Sequence, residues 1–245
     1  MKRSHNIMEF KGFIKTSLIE YPGKIVSVVF TGGCNFRCPF CQNPDLVLNS
    51  DSLPSINADE IISHLVSQKK WLDGLAITGG EPMIYKALSD FIRKVKKEEF
   101  LVEIETNGTN PQMLKDLIAD KLIDYVALDI KAVPVWEKYK RAAGINNEDL
   151  LRKVKESVEV LLKSNSEINF DYEFRTTVVP GLIEKGDILG IARQIKGAKK
   201  YVLQQFLPKI TLDKQYGRLK PYSKETLEEM RKKAGDYVEV CQVRG

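Results

Sequence analysis

Three cysteines crowd into eight residues, Cys34-Asn35-Phe36-Arg37-Cys38-Pro39-Phe40-Cys41, spaced C-x3-C-x2-C. A cysteine kept for packing behaves as a small hydrophobe and needs no second thiol beside it. Three thiolates this close can converge on one soft metal centre, either a zinc ion or an iron–sulfur cluster. The fourth ligand separates the two. Structural zinc is four-coordinate and closed. The remaining cysteine, Cys241, lies far away near residue 245, and His5 and His64 have no ligand-pair spacing with anything. A cubane cluster on three cysteines leaves one iron able to take a small molecule. Spacing and ligand count therefore favour a catalytic cluster on Cys34, Cys38 and Cys41, with zinc as the alternative.

Two further stretches carry polar groups beside glycines. Gly79-Gly80-Glu81-Pro82 follows the apolar run Leu75-Ala76-Ile77-Thr78, and Glu105-Thr106-Asn107-Gly108 follows Leu101-Val102-Glu103-Ile104. Glycines at a strand end let backbone approach a ligand, although either stretch also reads as an ordinary turn. Asp129 and Lys131 share one face of a strand, because the strand period is two. Inside a barrel they must be paired or solvated. Arg175 suits a carboxylate or ribose clamp, or an ordinary ion pair. Gln205 and Phe206 end a strand, where they suit an adenine by hydrogen bonding and stacking; for Phe206 a core position fits as well.

The three-cysteine loop, with aromatic Phe40 before the third cysteine, resembles that of the radical S-adenosylmethionine (SAM) enzymes. The flanks narrow the likeness. Gly12-Phe13-Ile14-Lys15-Thr16-Ser17-Leu18-Ile19-Glu20-Tyr21-Pro22-Gly23-Lys24 before it and Gln42-Asn43-Pro44 after it resemble the activating proteins of anaerobic ribonucleoside-triphosphate reductase, and the similarity runs over almost the whole chain. The resemblance implies a [4Fe-4S] cluster and SAM as cofactors, with Phe40, Gly79, Gly80, Glu81, Glu105, Asn107, Asp129, Lys131, Arg175 and Gln205 around the SAM. It implies reductive cleavage of SAM and hydrogen abstraction from a glycine of the partner reductase, leaving a glycyl radical. A flavodoxin or ferredoxin is the implied electron donor. Another glycyl radical enzyme as partner, or a small-molecule radical SAM reaction, stays open. A metal-bearing interaction module without turnover is the reading from a different class, and the two glycine-bearing strand ends argue against it.

Composition is ordinary for a soluble globular protein. Of 245 residues, 43% are hydrophobic and 29% charged, which is ordinary for a globular chain, and the length suits one α/β domain over 1–245. No apolar run approaches the roughly 18 residues of a membrane helix. Clustered cysteines fit a reducing cytoplasm better than a disulfide framework. A net charge of +5 is no nucleic-acid signature by itself.

The elements that must position these residues follow a β/α rhythm. A β-hairpin over about 7–24 precedes the first strand, Ile25–Phe30, which is apolar nearly throughout, as in a parallel sheet buried on both faces. Further strands are expected at 75–78, 101–105, 125–131, 169–179 and 201–206, with helices at 58–70, 87–97, 111–121, 149–163, 187–195 and 224–233 and an edge strand at 237–243. The basic, aromatic stretch 133–147 reads as a solvated or partner-docking face. Six strands are too few for a complete eight-strand barrel. The expected fold is a partial (β/α)6 barrel of the radical SAM type, with the cysteines just beyond the first strand, at the end where such barrels do their chemistry.

Overall fold

The computed structural model describes residues 8–166 and 170–245. Along the chain run β1 (Glu9–Phe10), β2 (Gly12–Ser17), β3 (Val26–Thr31), α1 (Pro44–Leu48), β4 (Ile56–Asn57), α2 (Ala58–Ser67), β5 (Gly74–Gly79), α3 (Leu88–Lys97), β6 (Leu101–Thr106), α4 (Pro111–Ala119), β7 (Tyr125–Asp129), α5 (Trp136–Ala143), α6 (Glu148–Lys163), β8 (Asp171–Val178), α7 (Lys185–Gln194), β9 (Lys200–Gln205), α8 (Lys224–Gly235) and β10 (Val240–Arg244). The class is α/β with a mostly parallel sheet, as expected. The chain divides into two compact units: residues 1–35, 45–106 and 112–126 form the first, and 36–44, 107–111 and 127–245 the second.

In the first unit the strand order is β2-β3-β5-β6. β3, β5 and β6 are parallel, and β2 pairs antiparallel with β3 in a register that sets Gly12 opposite Phe30. Val26, Val28, Val29, Leu75, Ala76 and Ile77 are all fully buried. This is why these strands read as continuous apolar runs. The antiparallel pairing expected within 7–24 differs from the one formed. β2 pairs forward with β3, and the short β1 pairs with β4. Residue 7 lies outside the described residues. Helix α2 is capped by the Asn57 side chain, which accepts from the Asp59 amide. His64, on α2, meets Phe13 edge-on at 5.1 Å, as an ordinary packing histidine.

In the second unit β8, β9 and β10 are consecutive and parallel. The start expected for β8 at Asn169 falls outside the described residues. Tyr172 and Phe174 are fully buried on one side of β8. Glu173, on the other side, is also buried and takes both guanidinium nitrogens of Arg244 at 2.8 and 2.9 Å, with Lys200 at 3.2 Å. A buried carboxylate held this way ties three strands together. The stretch 133–147 holds a helix that the sequence reading left out. α5 buries Tyr139, Ala142 and Ala143 and stops at Gly144, whose φ of +61° is the left-handed cap glycine adopts readily.

Candidate active site

Strand ends carry the candidate residues in both units. In the first, β3 runs into Gly32, Gly33 and Cys34, while β5 ends at Gly79 and continues into Gly80 and Glu81. Backbone bonds clasp the two ends. The Gly80 amide donates to the Thr31 carbonyl and the Glu81 amide to the Gly33 carbonyl, each at 2.9 Å. A Cβ on Gly80 would lie 1.8 Å from the Gly33 oxygen, so only glycine permits this approach. Gly79 has φ +119°, and a Cβ there would lie 2.4 Å from the Thr31 backbone nitrogen.

Glu81 is 1% exposed. Its Oε1 accepts the Met83 amide at 3.0 Å and the Thr106 hydroxyl at 2.7 Å. The carboxylate thus knits the Pro82–Ile84 turn and ties the end of β5 to the end of β6. Glu105, half-buried, accepts the Thr78 hydroxyl at 2.6 Å.

In the second unit the cysteine loop turns on itself, with the Cys41 amide donating to the Cys38 carbonyl at 3.0 Å. Cys38 and Phe40 are buried, at 7% and 5% exposed. The segment after β9 lies over the loop: Leu212 donates to the Cys41 carbonyl, Asp213 to that of Pro39, and the Gln42 side chain to that of Leu207. From the other direction comes the end of α5. The Ala143 carbonyl accepts the Arg37 amide at 2.9 Å and the Cys38 thiol at 3.8 Å. A Cβ on Gly144 would lie 2.1 Å from the Arg37 oxygen.

Asp129 bridges two cations, Arg175 at 2.8 Å and Lys131 at 2.9 Å. Burial alone would raise its pKa, but the charges of Arg175 and Lys131 outweigh it and hold the carboxyl down to about 2. Burial works against the Lys131 ammonium, and the charges of Asp129 and then Cys38 overcome it, so its pKa rises. Asp129, Lys131 and Arg175 therefore form one charged cluster. Asn107 is buried, and its side-chain oxygen accepts the amide and hydroxyl of Thr109. Gln205 donates weakly to the Phe206 and Tyr222 carbonyls. Phe206 is fully buried, as a core aromatic.

Thiols are the donor type a soft metal centre takes, although among the described residues no three His, Cys, Asp or Glu side chains are grouped to hold a metal ion. None of the four cysteines is in a disulfide. Burial pushes the Cys241 thiol up to about 11, away from thiolate chemistry. Sequence reasoning missed α5, whose end at Ala143 meets the cysteine loop. The available signal was Tyr139, Ala142 and Ala143 at helical spacing, closed by Gly144.

Comparison with known proteins agrees. Residues 28–195 match the family described as the Radical SAM superfamily. A Methanocaldococcus jannaschii protein provisionally named a glycyl-radical enzyme activating enzyme is 34% identical over 236 residues, covering 95% of this chain and 94% of its own. The pyruvate formate-lyase-activating enzyme of Clostridium pasteurianum is 30% identical over 201 residues, covering 80% and 79%. Among solved structures, Streptococcus suis SuiB bound to S-adenosylmethionine aligns at TM-score 0.63 and 14% identity, over 89% of this chain and 50% of its own. That likeness bears out the fold type expected from the sequence. Enzymes of this superfamily work with a [4Fe-4S] cluster and SAM. The chain belongs to the radical SAM superfamily, among its glycyl-radical enzyme activating enzymes.

Proposed function

We propose that this enzyme installs the glycyl radical of an anaerobic ribonucleoside-triphosphate reductase. The observation that carries this reading is the pair of flanks around the cysteine loop, Gly12–Lys24 and Gln42-Asn43-Pro44. In this reading Cys34, Cys38 and Cys41 hold the cluster. When bound, cluster and SAM together supply one-electron cleavage of a carbon–sulfur bond and a radical able to take hydrogen from a glycine. The chain's own residues bind and orient. The backbone carbonyls at Gly79 and Gly80, with the Glu81 carboxylate, would accept from the SAM amino group, and the bonds of Glu81 to Met83 and Thr106 brace that strand end. The Asp129–Lys131–Arg175 cluster, Glu105, Asn107, Gln205 and Phe40 are the other residues that would contact SAM in this reading. The setting is a reducing cytoplasm, with a small redox protein such as flavodoxin or ferredoxin as electron donor.

A second reading, activation of a pyruvate formate-lyase, is favoured by the Clostridium pasteurianum relative. The test is reconstitution with iron and sulfide without oxygen, addition of a reductant and SAM, and incubation with each candidate partner. Formation of 5′-deoxyadenosine together with a glycyl radical signal in the reductase, and none in pyruvate formate-lyase, supports the proposal. A radical in pyruvate formate-lyase alone overturns it in favour of the second reading. Neither radical, with 5′-deoxyadenosine formed, moves the reaction to another substrate.

A further inference from the structure

Two hydroxyls lie in the second unit where packing calls for none. Tyr201, on β9, stands opposite Phe174 in the parallel ladder with β8, so its side chain shares a face with Phe174, Thr176 and Val178. All four side chains are buried. Phenylalanine and valine would fill the space of Tyr201 and Thr176 as well. Replacing both members of a buried hydrogen-bonded pair by apolar groups of the same shape is often close to neutral, so stability alone does not explain the two oxygens.

The hydroxyls form a directed chain. Tyr201 donates to the Thr176 oxygen at 3.0 Å, and Thr176 donates to the Ile130 carbonyl at 2.9 Å. A carbonyl can only accept, so Thr176 must direct its one proton to Ile130, and Tyr201 must be the donor to Thr176. The chain ends on a backbone group next to the charged cluster. β7 stops at Asp129, and Ile130 is the residue between Asp129 and Lys131. The Ile130 amide donates to the Arg175 carbonyl at 2.8 Å. Both backbone groups of Ile130 are therefore held by consecutive residues of β8. Extended backbone alternates its side chains, so a fixed Ile130 puts Asp129 and Lys131 on the same side. There they meet at 2.9 Å, and Asp129 also takes Arg175 at 2.8 Å.

We propose that Thr176, backed by Tyr201, is a positioning residue for SAM: its bond to the Ile130 carbonyl keeps the chain extended past the end of β7 and so holds Asp129, Lys131 and Arg175 in the arrangement that meets SAM. The proposal rests on the reading that this cluster contacts SAM, and not on which partner the enzyme activates. Thr176 and Tyr201 act through Ile130.

The test compares Thr176→Val, which keeps the shape and removes the hydroxyl, with Thr176→Ser, which keeps the hydroxyl, and with Tyr201→Phe. SAM binding to the reconstituted enzymes is measured by calorimetry without oxygen, well below the melting temperature. The expected result is a Kd about tenfold higher in Thr176→Val, about two- to threefold higher in Tyr201→Phe and within about twofold of wild type in Thr176→Ser, with equal iron content throughout. A second readout uses the cluster-free proteins. The charges of Arg175 and Lys131 hold the Asp129 carboxyl down to about 2, which gives unfolding an acid-dependent slope. That slope should shrink in Thr176→Val and persist in Thr176→Ser, because a loosened Lys131 no longer holds the carboxyl down. A role confined to the fold lowers the melting temperature and leaves Kd and slope at wild-type values, and that outcome overturns the proposal. A serine variant as weak as the valine one overturns it too. Should Thr176→Val fail to fold, Tyr201→Phe decides, and an unchanged Kd overturns the proposal. Asp129→Asn binding SAM as tightly as wild type refutes the underlying reading that the cluster meets SAM, and this inference falls with it.

Discussion

Gly80 has no room for a methyl group. Its missing side chain would meet the Gly33 carbonyl oxygen at 1.8 Å, and both atoms belong to backbone that hydrogen bonds already hold. Gly80→Ala must therefore move one strand end away from the other. The expected cost is at least about 2 kcal/mol, within the range of severe single substitutions, read as a lower urea midpoint and weaker SAM binding. Asp129 makes the second residue-scale prediction. Its carboxyl titrates near 2, against about 3.9 in an unfolded chain. The native state thus holds its proton less tightly. The stabilisation, roughly 2.5 kcal/mol, is complete above about pH 5 and is lost as the pH falls toward 2. Acid titration of unfolding should show that slope, and Asp129→Asn should flatten it. Most candidate residues were singled out because each is a chemically unusual type at or near a strand end. Glu81 was legible as a position and not as a contact. Its bonds to Met83 and Thr106 depend on how β5 and β6 lie side by side, which spacing along a chain does not express.

At the scale of elements, α5 is the piece most closely tied to the chemistry of the second unit. Its end meets the cysteine loop through Ala143, and Gly144 lets the Arg37 carbonyl pass. Gly144→Ala adds a Cβ 2.1 Å from that oxygen and puts a non-glycine residue at φ +61°. The left-handed conformation alone costs about 1 kcal/mol, and the clash adds to it. The expected outcome is a protein that keeps its helices, measured by circular dichroism, but reconstitutes with less iron. The β/α rhythm was readable because buried parallel strands are apolar throughout and the helices between them carry clear periods. α5 was not. It is short, begins beside Pro134, and has lysines and arginine on most of its surface, so its buried stripe of Tyr139, Ala142 and Ala143 is narrow. The pairing of β2 was hidden for another reason. An antiparallel strand finds its partner through the turn that follows it, and the Tyr21-Pro22-Gly23 turn leads forward into β3.

At the scale of the whole molecule, the four cysteines should separate cleanly. Cys38→Ala should lose the cluster and all SAM cleavage while the protein stays folded, because the change removes a single small atom from a buried loop position. Cys241, on β10 and held as a thiol by burial, should tolerate alanine with iron content unchanged. Iron and sulfide analysis of the two variants checks this, and equal losses would count against the ligand assignment. No helix among the described residues is long and apolar enough to cross a membrane. Superfamily membership was legible from one loop, since cluster chemistry demands thiols at close spacing. The partner was legible only by resemblance. The glycine to be activated belongs to another chain, and nothing in this one spells out its surroundings.

The short helix that ends on the cysteine loop begins with an indole. Trp136 and Ala143 bound α5, about two helical turns or roughly 10 Å apart. A visible chromophore held by Cys38 would sit close enough to take up the tryptophan's excitation energy. The chain has two tryptophans, and the other, Trp71, is 74% exposed. With Trp71 replaced, the emission of Trp136 becomes a built-in lamp beside the loop. It dims as each molecule is loaded and brightens as air bleaches it, so the filled fraction can be followed in a sealed cuvette by light alone.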